Sequence, residues 1–220
     1  CSQSRGLGDV YKRQKLDFIK KLKGRLKNPL PGKEAHLTMM VKLKSNYIKN
    51  IPKKKSMPAA VMILLHYRSK NWHFFLTKRT QEVRHHKGQI SFPGGIKEKY
   101  ESLPKTAIRE TEEEIGISAS DIKLIGSLTP LHVLNSNFLI SPYIGYLDIN
   151  PTLKVQKREV ENVFSIPIKK LILDKNQRVK NQKVNGKKAV VPYFHLNDQI
   201  VWGATSAILS ELKLLILDIK

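Results

Sequence analysis

The sequence has little cysteine, few aromatic residues and no long apolar run. Cys1 is the only cysteine among 220 residues, which excludes a disulfide framework and a cysteine-based metal site. No apolar run reaches the length that a membrane-spanning helix needs, so we expect no membrane span. Aromatic residues make up 7% of the chain and are scattered, which disfavours an RNA-recognition module built on stacking platforms. The length suits one sizeable core with peripheral helices.

Acidic residues are also scarce. The chain has 18 Asp and Glu against 40 Lys and Arg, a net charge of +22. This excess fits either a surface for nucleic acid or anionic membrane, or lysines spread over solvated faces. We favour the second interpretation, because the excess is mostly Lys, whereas surfaces that read phosphates favour Arg. We therefore expect no specific nucleic-acid partner, and a non-catalytic nucleic-acid-binding protein remains the less favoured alternative.

The few acids are concentrated in one short segment. Four of five consecutive positions, 110 to 114, are glutamate. On a helix at about 100° per residue, Glu110, Glu113 and Glu114 share one face, and Gly116 lies where a left-handed cap would end the helix. The acids then lie at the negative end of the helix dipole, where each is unfavourable by about 0.3–1 kcal/mol. A bound divalent cation would remove this repulsion, so the segment predicts a metal site.

The same segment carries a family motif. It consists of Gly95, Glu101, Arg109, Glu110, Glu113, Glu114, Gly116 and Ile117. These residues match the pattern G-x5-E-x7-R-E-U-x-E-E-x-G-U, where U is aliphatic, and the segment therefore resembles the Nudix box. Thr111 in the first aliphatic slot is the one departure. The resemblance implies an α/β fold, a Nudix-type α/β/α sandwich with a mixed β-sheet, and hydrolysis of a diphosphate linkage in a nucleoside diphosphate derivative.

A segment upstream of the box narrows the range of expected substrates. Residues 75–80, Arg84, Gly88 and the Phe92-Pro-Gly-Gly95 run resemble the L-L-T-x-R-[SA]-x3-R-x3-G-x3-F-P-G-G signature of the coenzyme A pyrophosphatase branch. Phe75 and Thr80 depart from it, and residues 200–205 also look like that branch. The resemblance implies Mg²⁺-dependent hydrolysis of coenzyme A (CoA) and its thioesters to adenosine 3′,5′-bisphosphate and 4′-phosphopantetheine or its acyl form. Dinucleoside polyphosphates, nucleotide sugars and capped RNA are the alternative substrates.

The resemblance also implies roles for individual residues. The metal ligands would be Glu110, Glu114, Glu113 and the Gly95 carbonyl, with Mg²⁺ as the ion and Mn²⁺ as a substitute. Arg109 would orient the carboxylates by pairing with Glu113 or Glu101. The catalytic residues would be Glu110, Glu113, Glu114 and Arg109. Glu101 and Gly116 would support the site. Which group acts as general base is left open.

Substrate contacts are expected upstream of the box. The residues implied are Arg79, Arg84, Gly88, Phe92 and Gly94, with the arginines facing the anionic groups. Glu159 or Glu161 would be a further ligand or base from a distant loop. We interpret Glu112 as a solvated acid, His85 and His86 as poor metal ligands, and Trp202 as a core residue rather than an adenine platform.

The chain divides into three parts. Residues 1–14 match nothing in the family and resemble translated sequencing-adapter read-in, so we interpret them as non-native. Residues 15–56 predict an amphipathic helix that docks on the domain itself, followed by a linker. The resemblance implies a Nudix domain over residues 57–220, in which the sequence predicts a hairpin over 59–77 and a closing helix over 203–219. We expect a cytoplasmic protein, or an organellar one if the source is eukaryotic, and the sequence is compatible with a homodimer.

Overall fold

A computed structural model of the chain describes residues 3–43, 55–81, 88–184 and 186–220. The helices are α1 (Gln3–Arg25), α2 (Gly32–Thr38), α3 (Leu103–Ile115), α4 (Ile168–Leu171) and α5 (Ala204–Asp218). The first strands are β1 (Lys42–Leu43), β2 (Met57–Arg68), β3 (Asn71–Arg79), β4 (Ile90–Ser91), β5 (Gly94–Ile96) and β6 (Lys123–Ser127). The later strands are β7 (Leu131–Val133), β8 (Phe138–Tyr146), β9 (Val160–Pro167), β10 (Gln177–Val184), β11 (Lys187–Leu196) and β12 (Gln199–Trp202).

The larger sheet is mixed, as predicted. Its strands follow the order β4-β3-β2-β8-β6, with β5 also on β2, β7 on β8 and β9 on β3. The β2–β8 pair is parallel and the other pairs are antiparallel. A smaller antiparallel sheet joins β1, β11 and β10, with β12 on β11. The predicted hairpin is confirmed: Ser69 and Lys70 have φ values of 49° and 60°, the left-handed backbone of a two-residue hairpin turn.

Strand β2 shows why the sheet is covered on both faces. Ile63 and Leu65 are fully buried in a core shared with α1 and α5. Met62 and Leu64 alternate with them and are fully buried on the other face, in a core shared with α3. Because successive side chains of a strand point to opposite faces, this pattern requires a layer of helix on each side. The predicted sandwich is thereby confirmed.

Helix α3 contains the acidic run, and its ends agree with the sequence. Ser102 precedes it in extended backbone, Pro104 lies in its first turn, and Gly116 ends it with a φ of 72°. A Cβ on Gly116 would also lie 2.5 Å from the Cβ of Lys154. Thr111 is fully buried and its Oγ1 donates to the Ala107 carbonyl at 2.6 Å. The hydroxyl in the aliphatic slot is therefore satisfied within the helix itself.

The N-terminal helix is longer than predicted. Helix α1 begins at Gln3 rather than near residue 15, so helical backbone runs through the segment interpreted as read-in; the non-native origin of that segment stays a prediction. The predicted docking is confirmed, since Leu22 is fully buried and Phe18 stacks on Trp72 at 5.5 Å between ring centroids. None of the helices in the described part of the chain is both long and apolar enough to cross a bilayer.

Helix α5 closes the fold and anchors the N-terminal region. Its Glu211 is completely buried and binds the backbone N–H of Gly32 at 3.1 Å, the hydroxyl of Thr129 at 2.7 Å and Nε2 of His36 at 2.9 Å. Glu211 therefore joins α5 to α2 and to the segment before β7. Because buried charges are stabilised only when their hydrogen bonds are met, this carboxylate has a structural role.

Candidate active site

Two glycines of β5 bring the backbone against the acidic helix. Gly94 and Gly95 pair with Val61 and Ala60 of β2. A Cβ on Gly94 would lie 2.6 Å from the Cα of Val61, and a Cβ on Gly95 would lie 2.5 Å from the carboxylate carbon of Glu110. At Gly94 the nearest neighbouring atoms are backbone, so only glycine fits, and at Gly95 the missing side chain leaves room for the Glu110 carboxylate to lie directly on the β5 backbone.

Arg109 is at the centre of a network of carboxylates. Its guanidinium donates to the two Glu101 oxygens at 2.9 and 3.2 Å, to Glu110 at 2.9 Å and to Glu113 at 3.1 Å, and to the Ile96 carbonyl at 3.3 Å. Arg109 holds the pKa of Glu101 down at about 2, with help from the Glu98 N–H and the Thr106 hydroxyl. The predicted pairing of Arg109 with Glu101 or Glu113 is present with both, and its orienting role stays a prediction.

Glu114 is the most buried acid of the run. Its exposure is 2%, and its Oε1 accepts from Arg79 Nη1 at 3.2 Å. Its Oε2 is buried and has no hydrogen-bond partner of acceptable geometry among the described residues. Burial raises the pKa of Glu114 to about 8, against the opposing effect of Arg79, and the charge of Glu110 adds to the rise. Burial likewise raises the pKa of Glu110.

The other two acids of the run face outwards. The Glu113 side chain is 58% exposed and is held by Arg109. Glu112 is exposed, and its carboxylate accepts from the Ala119 N–H at 3.3 Å. Throughout the described ranges, no three His, Cys, Asp or Glu side chains are grouped so that they could hold a metal ion. Arg109 binds Glu110 and Glu113, and Arg79 binds Glu114, so each carboxylate that the resemblance assigned to a cation pairs with an arginine here.

Arg79 lies at the end of β3 and faces carboxylates in this structure. Its Nη1 binds Glu114, and its Nη2 lies 4.0 Å from Glu159. Glu161, the other acid expected as an additional ligand, pairs instead with Lys78 at 2.6 Å. Arg79 therefore stands next to the expected metal ligands, and its contact with substrate stays a prediction.

The remaining predicted substrate residues lie near Arg79 or outside the described ranges. Phe92 is buried against Phe74, with ring centroids 6.2 Å apart. Gly88 has a φ of 65°, and its N–H donates to the Arg79 carbonyl at 3.1 Å. The predictions for Arg84, His85 and His86 fall on residues that are outside the described part of the chain.

A cavity of about 400 Å³ opens beside the carboxylates. Its lining includes Arg79, Phe92, Gly94 and Gly95, so four of the predicted site residues share it. Trp202 also lines the cavity and is partly exposed, which corrects the expectation that it is a core residue. The reason is that β12 ends at Trp202, and Gly203, Ala204 and Thr205, which follow it, also line the cavity.

Sequence reasoning did not find the far part of this cavity. Val133, Ser136, Phe138 and Ile140 line it from β7, β8 and the turn between them. They belong to a region that has no Asp, Glu, Lys or Arg from Leu124 to Leu147. In a chain with 26% charged residues, the absence of charged residues from this segment was the sequence signal that could have indicated a neutral cavity wall.

The sequence matches a family model and known proteins. The model of the NUDIX domain matches residues 56–185, which is more than half of the chain. An uncharacterized Nudix hydrolase named NudL from Photorhabdus laumondii is 30% identical over 138 residues, covering 62% of this chain and 73% of that protein. The mitochondrial Nudix hydrolase 15 of Arabidopsis thaliana is 36% identical over 142 residues, covering 61% of this chain and 49% of that protein.

Solved structures support the fold. The Nudix hydrolase RenU from M. smegmatis superposes with a TM-score of 0.54 at 13% identity, covering 75% of this chain and 88% of that one. A MutT/nudix family protein from Enterococcus faecalis gives a TM-score of 0.50 at 18% identity, covering 77% and 66%. At these identities the likeness shows the fold alone.

Proposed function

Because the chain belongs to the NUDIX domain family of hydrolases, we propose that it cleaves the diphosphate bond of CoA and of its thioesters. Membership makes the protein a hydrolase of acid anhydrides that acts on nucleoside diphosphate derivatives. The observation that carries the finer assignment is a shared cavity. Arg79, Phe92 and Gly94 of the upstream signature line the same space as Gly95, whose backbone lies on the Glu110 carboxylate.

The reaction is a displacement at phosphorus. A water oxygen forms a new P–O bond, the bridging P–O bond of the diphosphate breaks, and the water proton passes to a base or to solvent. CoA would give adenosine 3′,5′-bisphosphate and 4′-phosphopantetheine, and a thioester would give the acyl form of the second product. The protein must mainly position the diphosphate and stabilise charge on its oxygens.

Nudix hydrolases generally use divalent metal ions such as Mg²⁺, and two observations suit such an ion here. Glu114 has a buried Oε2 without a partner among the described residues, and the Glu110 carboxylate lies against the Gly95 backbone. Hard oxygen donors of this kind are what Mg²⁺ prefers. Glu110, Glu114 and the Gly95 carbonyl would hold the ion, with Glu113 available from the exposed side. The ion would neutralise charge on the phosphoryl oxygens.

Two arginines would have different tasks. Arg109 holds Glu101, Glu110 and Glu113 in place through direct hydrogen bonds. Arg79, at 23% side-chain exposure, reaches the cavity and would turn from Glu114 toward the diphosphate when substrate arrives. A guanidinium matches two phosphate oxygens at once. Arg79→Ala should therefore raise KM for CoA by roughly tenfold and lower kcat less, because anchoring of the ground state is mostly uniform binding.

The test is a substrate profile of the purified protein with Mg²⁺. CoA, acetyl-CoA, ADP-ribose, a dinucleoside polyphosphate, a nucleotide sugar and capped RNA are incubated separately, and the products are separated by chromatography. We expect adenosine 3′,5′-bisphosphate from both CoA substrates, at the highest kcat/KM of the set. No turnover of CoA, with another diphosphate cleaved well, would overturn the substrate assignment and leave the hydrolase assignment standing.

The remaining expectations are part of the same proposal. Mn²⁺ should replace Mg²⁺ in the assay, since both are hard divalent ions that accept oxygen ligands. A cytoplasmic or organellar location and a homodimeric state stay predictions. The alternative of a non-catalytic nucleic-acid-binding protein is set aside, because the chain belongs to a family of hydrolases.

A further inference from the structure

We infer that the far end of the cavity, around Val133, Ser136 and Phe138, takes the pantetheine arm of the substrate rather than the 3′-phosphoadenosine arm. This inference rests on the proposed function, which supplies CoA as the substrate. It assigns an orientation that neither the family motif nor the relatives specify.

Strand pairing gives the cavity a direction. Ile96 of β5 pairs with Ala59 of β2, which pairs on its other edge with Ile140 of β8. Strand β7 follows, with Val133 opposite Phe138. Neighbouring strands lie about 4.8 Å apart, so the three steps from β5 to β7 span roughly 14 Å. The β5 end adjoins the Glu110 carboxylate, and the β7 end is the far end.

Among the described residues that line the cavity, those at the far end have no charged side chain. The sequence has no Asp, Glu, Lys or Arg between Leu124 and Leu147, nor between Gln199 and Ile208. These two segments supply the β7–β8 side and the Trp202 side of the cavity. The 3′-phosphoadenosine arm has a phosphate that needs a cationic partner, and burying it here would leave its charge uncompensated. The pantetheine arm is neutral, so its burial has no such cost.

The chemistry of the lining matches that neutral arm. Val133, Phe138 and Ile140 are apolar and suit its methyl groups and alkyl segments. Ser136 lines the cavity, and its Oγ is buried without a hydrogen-bond partner among the described residues. A buried hydroxyl of this kind needs a partner, and an amide of the pantetheine arm would provide it once the Ser136 side chain turns toward the cavity. The volume of about 400 Å³ is near the lower end of ligand cavities, roughly 300–1,000 Å³, and suits one arm of CoA.

The test places a cation at the far end. Val133→Lys is compared with Leu139→Lys as a matched control. Leu139 lies on β8 between two lining residues, is 41% exposed and does not line the cavity. We expect Val133→Lys to raise KM for CoA roughly tenfold, and Leu139→Lys to leave it within about twofold. A fall in KM with Val133→Lys would overturn the inference, because the added cation would then be serving the 3′-phosphate.

A second variant covers the case in which Val133→Lys fails to fold. Ser136→Ala preserves shape and removes one hydroxyl, and we expect it to raise KM for CoA about 3- to 10-fold with kcat unchanged. The same variant should leave KM for ADP-ribose, where that compound is cleaved, within about twofold. An equal rise for both substrates would contradict the assignment of this end to pantetheine.

Product binding separates failure of the inference from failure of the proposed function. Calorimetry with 4′-phosphopantetheine and with adenosine 3′,5′-bisphosphate needs no turnover and is done on wild type and on Ser136→Ala. We expect the variant to weaken binding of the first product only, by about 3- to 10-fold. Weaker binding of adenosine 3′,5′-bisphosphate alone would overturn the inference. A wild type that cleaves no CoA would overturn the proposed function, and the two titrations would still decide the orientation.

Discussion

Two buried glutamates of this chain, Glu211 and Glu114, behave in opposite ways. Glu211 is fully buried on α5, and both of its oxygens accept hydrogen bonds from Gly32, His36 and Thr129. Glu114 is 2% exposed on α3, and only one of its oxygens has a partner. The two side chains are both buried, but the hydrogen bonds of Glu211 are complete and those of Glu114 are not.

The difference distinguishes a structural carboxylate from one suited to a ligand. Glu211 links three segments that are distant in sequence, so removing it should affect the fold. Glu114 contacts Arg79 and the Gly94 backbone and faces the charge of Glu110, which is costly unless a cation joins the two carboxylates. A carboxylate that stabilised the fold by itself would not be expected to have this environment.

An unpaired buried atom alone does not mark a site. His66 Nδ1 and Trp72 Nε1 are also buried without partners among the described residues. Trp72 packs between Phe18 and Tyr67, and His66 stacks on Phe75 at 4.2 Å between ring centroids. Glu114 differs because a second, partly buried carboxylate, that of Glu110, and a cavity lie next to it. The predictions below test this distinction from the largest effect to the smallest.

Glu114→Gln should have the largest effect, and it should be on activity. The change keeps the shape and removes the charge that would bind the cation, so we expect kcat to fall by at least about 10²-fold. The thermal midpoint should change little, because burial already raises the pKa of Glu114 to about 8 and the amide keeps the shape of the protonated side chain. Steady-state kinetics with CoA and calorimetric unfolding measure the two quantities. Full activity of this variant would refute the metal assignment.

Glu211→Gln should show the reverse pattern. The amide cannot accept all the hydrogen bonds that Gly32, His36 and Thr129 donate, so we expect the free energy of unfolding to fall by about 1–3 kcal/mol. Folded protein should retain kcat within about twofold, because Glu211 does not line the cavity and distant substitutions act mostly through stability. Urea denaturation and kinetics below the transition give both values. A large loss of kcat without a loss of stability would abolish the contrast with Glu114.

His66 tests whether an unpaired buried atom away from the carboxylates affects stability alone. Burial lowers the pKa of His66 to about 4, and the neighbouring His73 and Arg68 contribute. The folded state then binds fewer protons than the unfolded state between about pH 6.5 and 4, so stability is lost as the pH falls through this window. We expect a loss of about 1–2 kcal/mol from this group.

The measurement is the urea midpoint of wild type and His66→Phe across that pH range. The variant should flatten the pH dependence only in part, because the pKa of His73 is also lowered by burial. His73→Phe is the paired variant. Identical profiles for wild type and His66→Phe would show that the ring is solvated, and a change in kcat would place it in the site.

The sequence predicted the end of the acidic helix α3 well, for a local physical reason. The cap at Gly116 follows from helix geometry within one segment, although Glu113 of the predicted acidic face is exposed. Prediction from the sequence failed where contacts between distant segments determine the structure. Strand β10 is polar and largely exposed, so its sequence has no alternation of apolar and polar residues. Trp202 lines the cavity because of where β12 ends. The partners of Glu211 lie at positions 32, 36 and 129, and no local pattern indicates that they meet.

Glu112→Gln should have the smallest effect and therefore sets the baseline for the comparison. Glu112 belongs to the same acidic run as Glu114, but it is exposed and only accepts from the Ala119 N–H. We expect kcat within about twofold of wild type and a stability change within about 0.5 kcal/mol. Kinetics and urea denaturation run beside Glu114→Gln test this. A loss comparable to that of Glu114→Gln would mean that the net charge of the helix end matters rather than the buried carboxylate, and the contrast between Glu114 and Glu211 would then lose its basis.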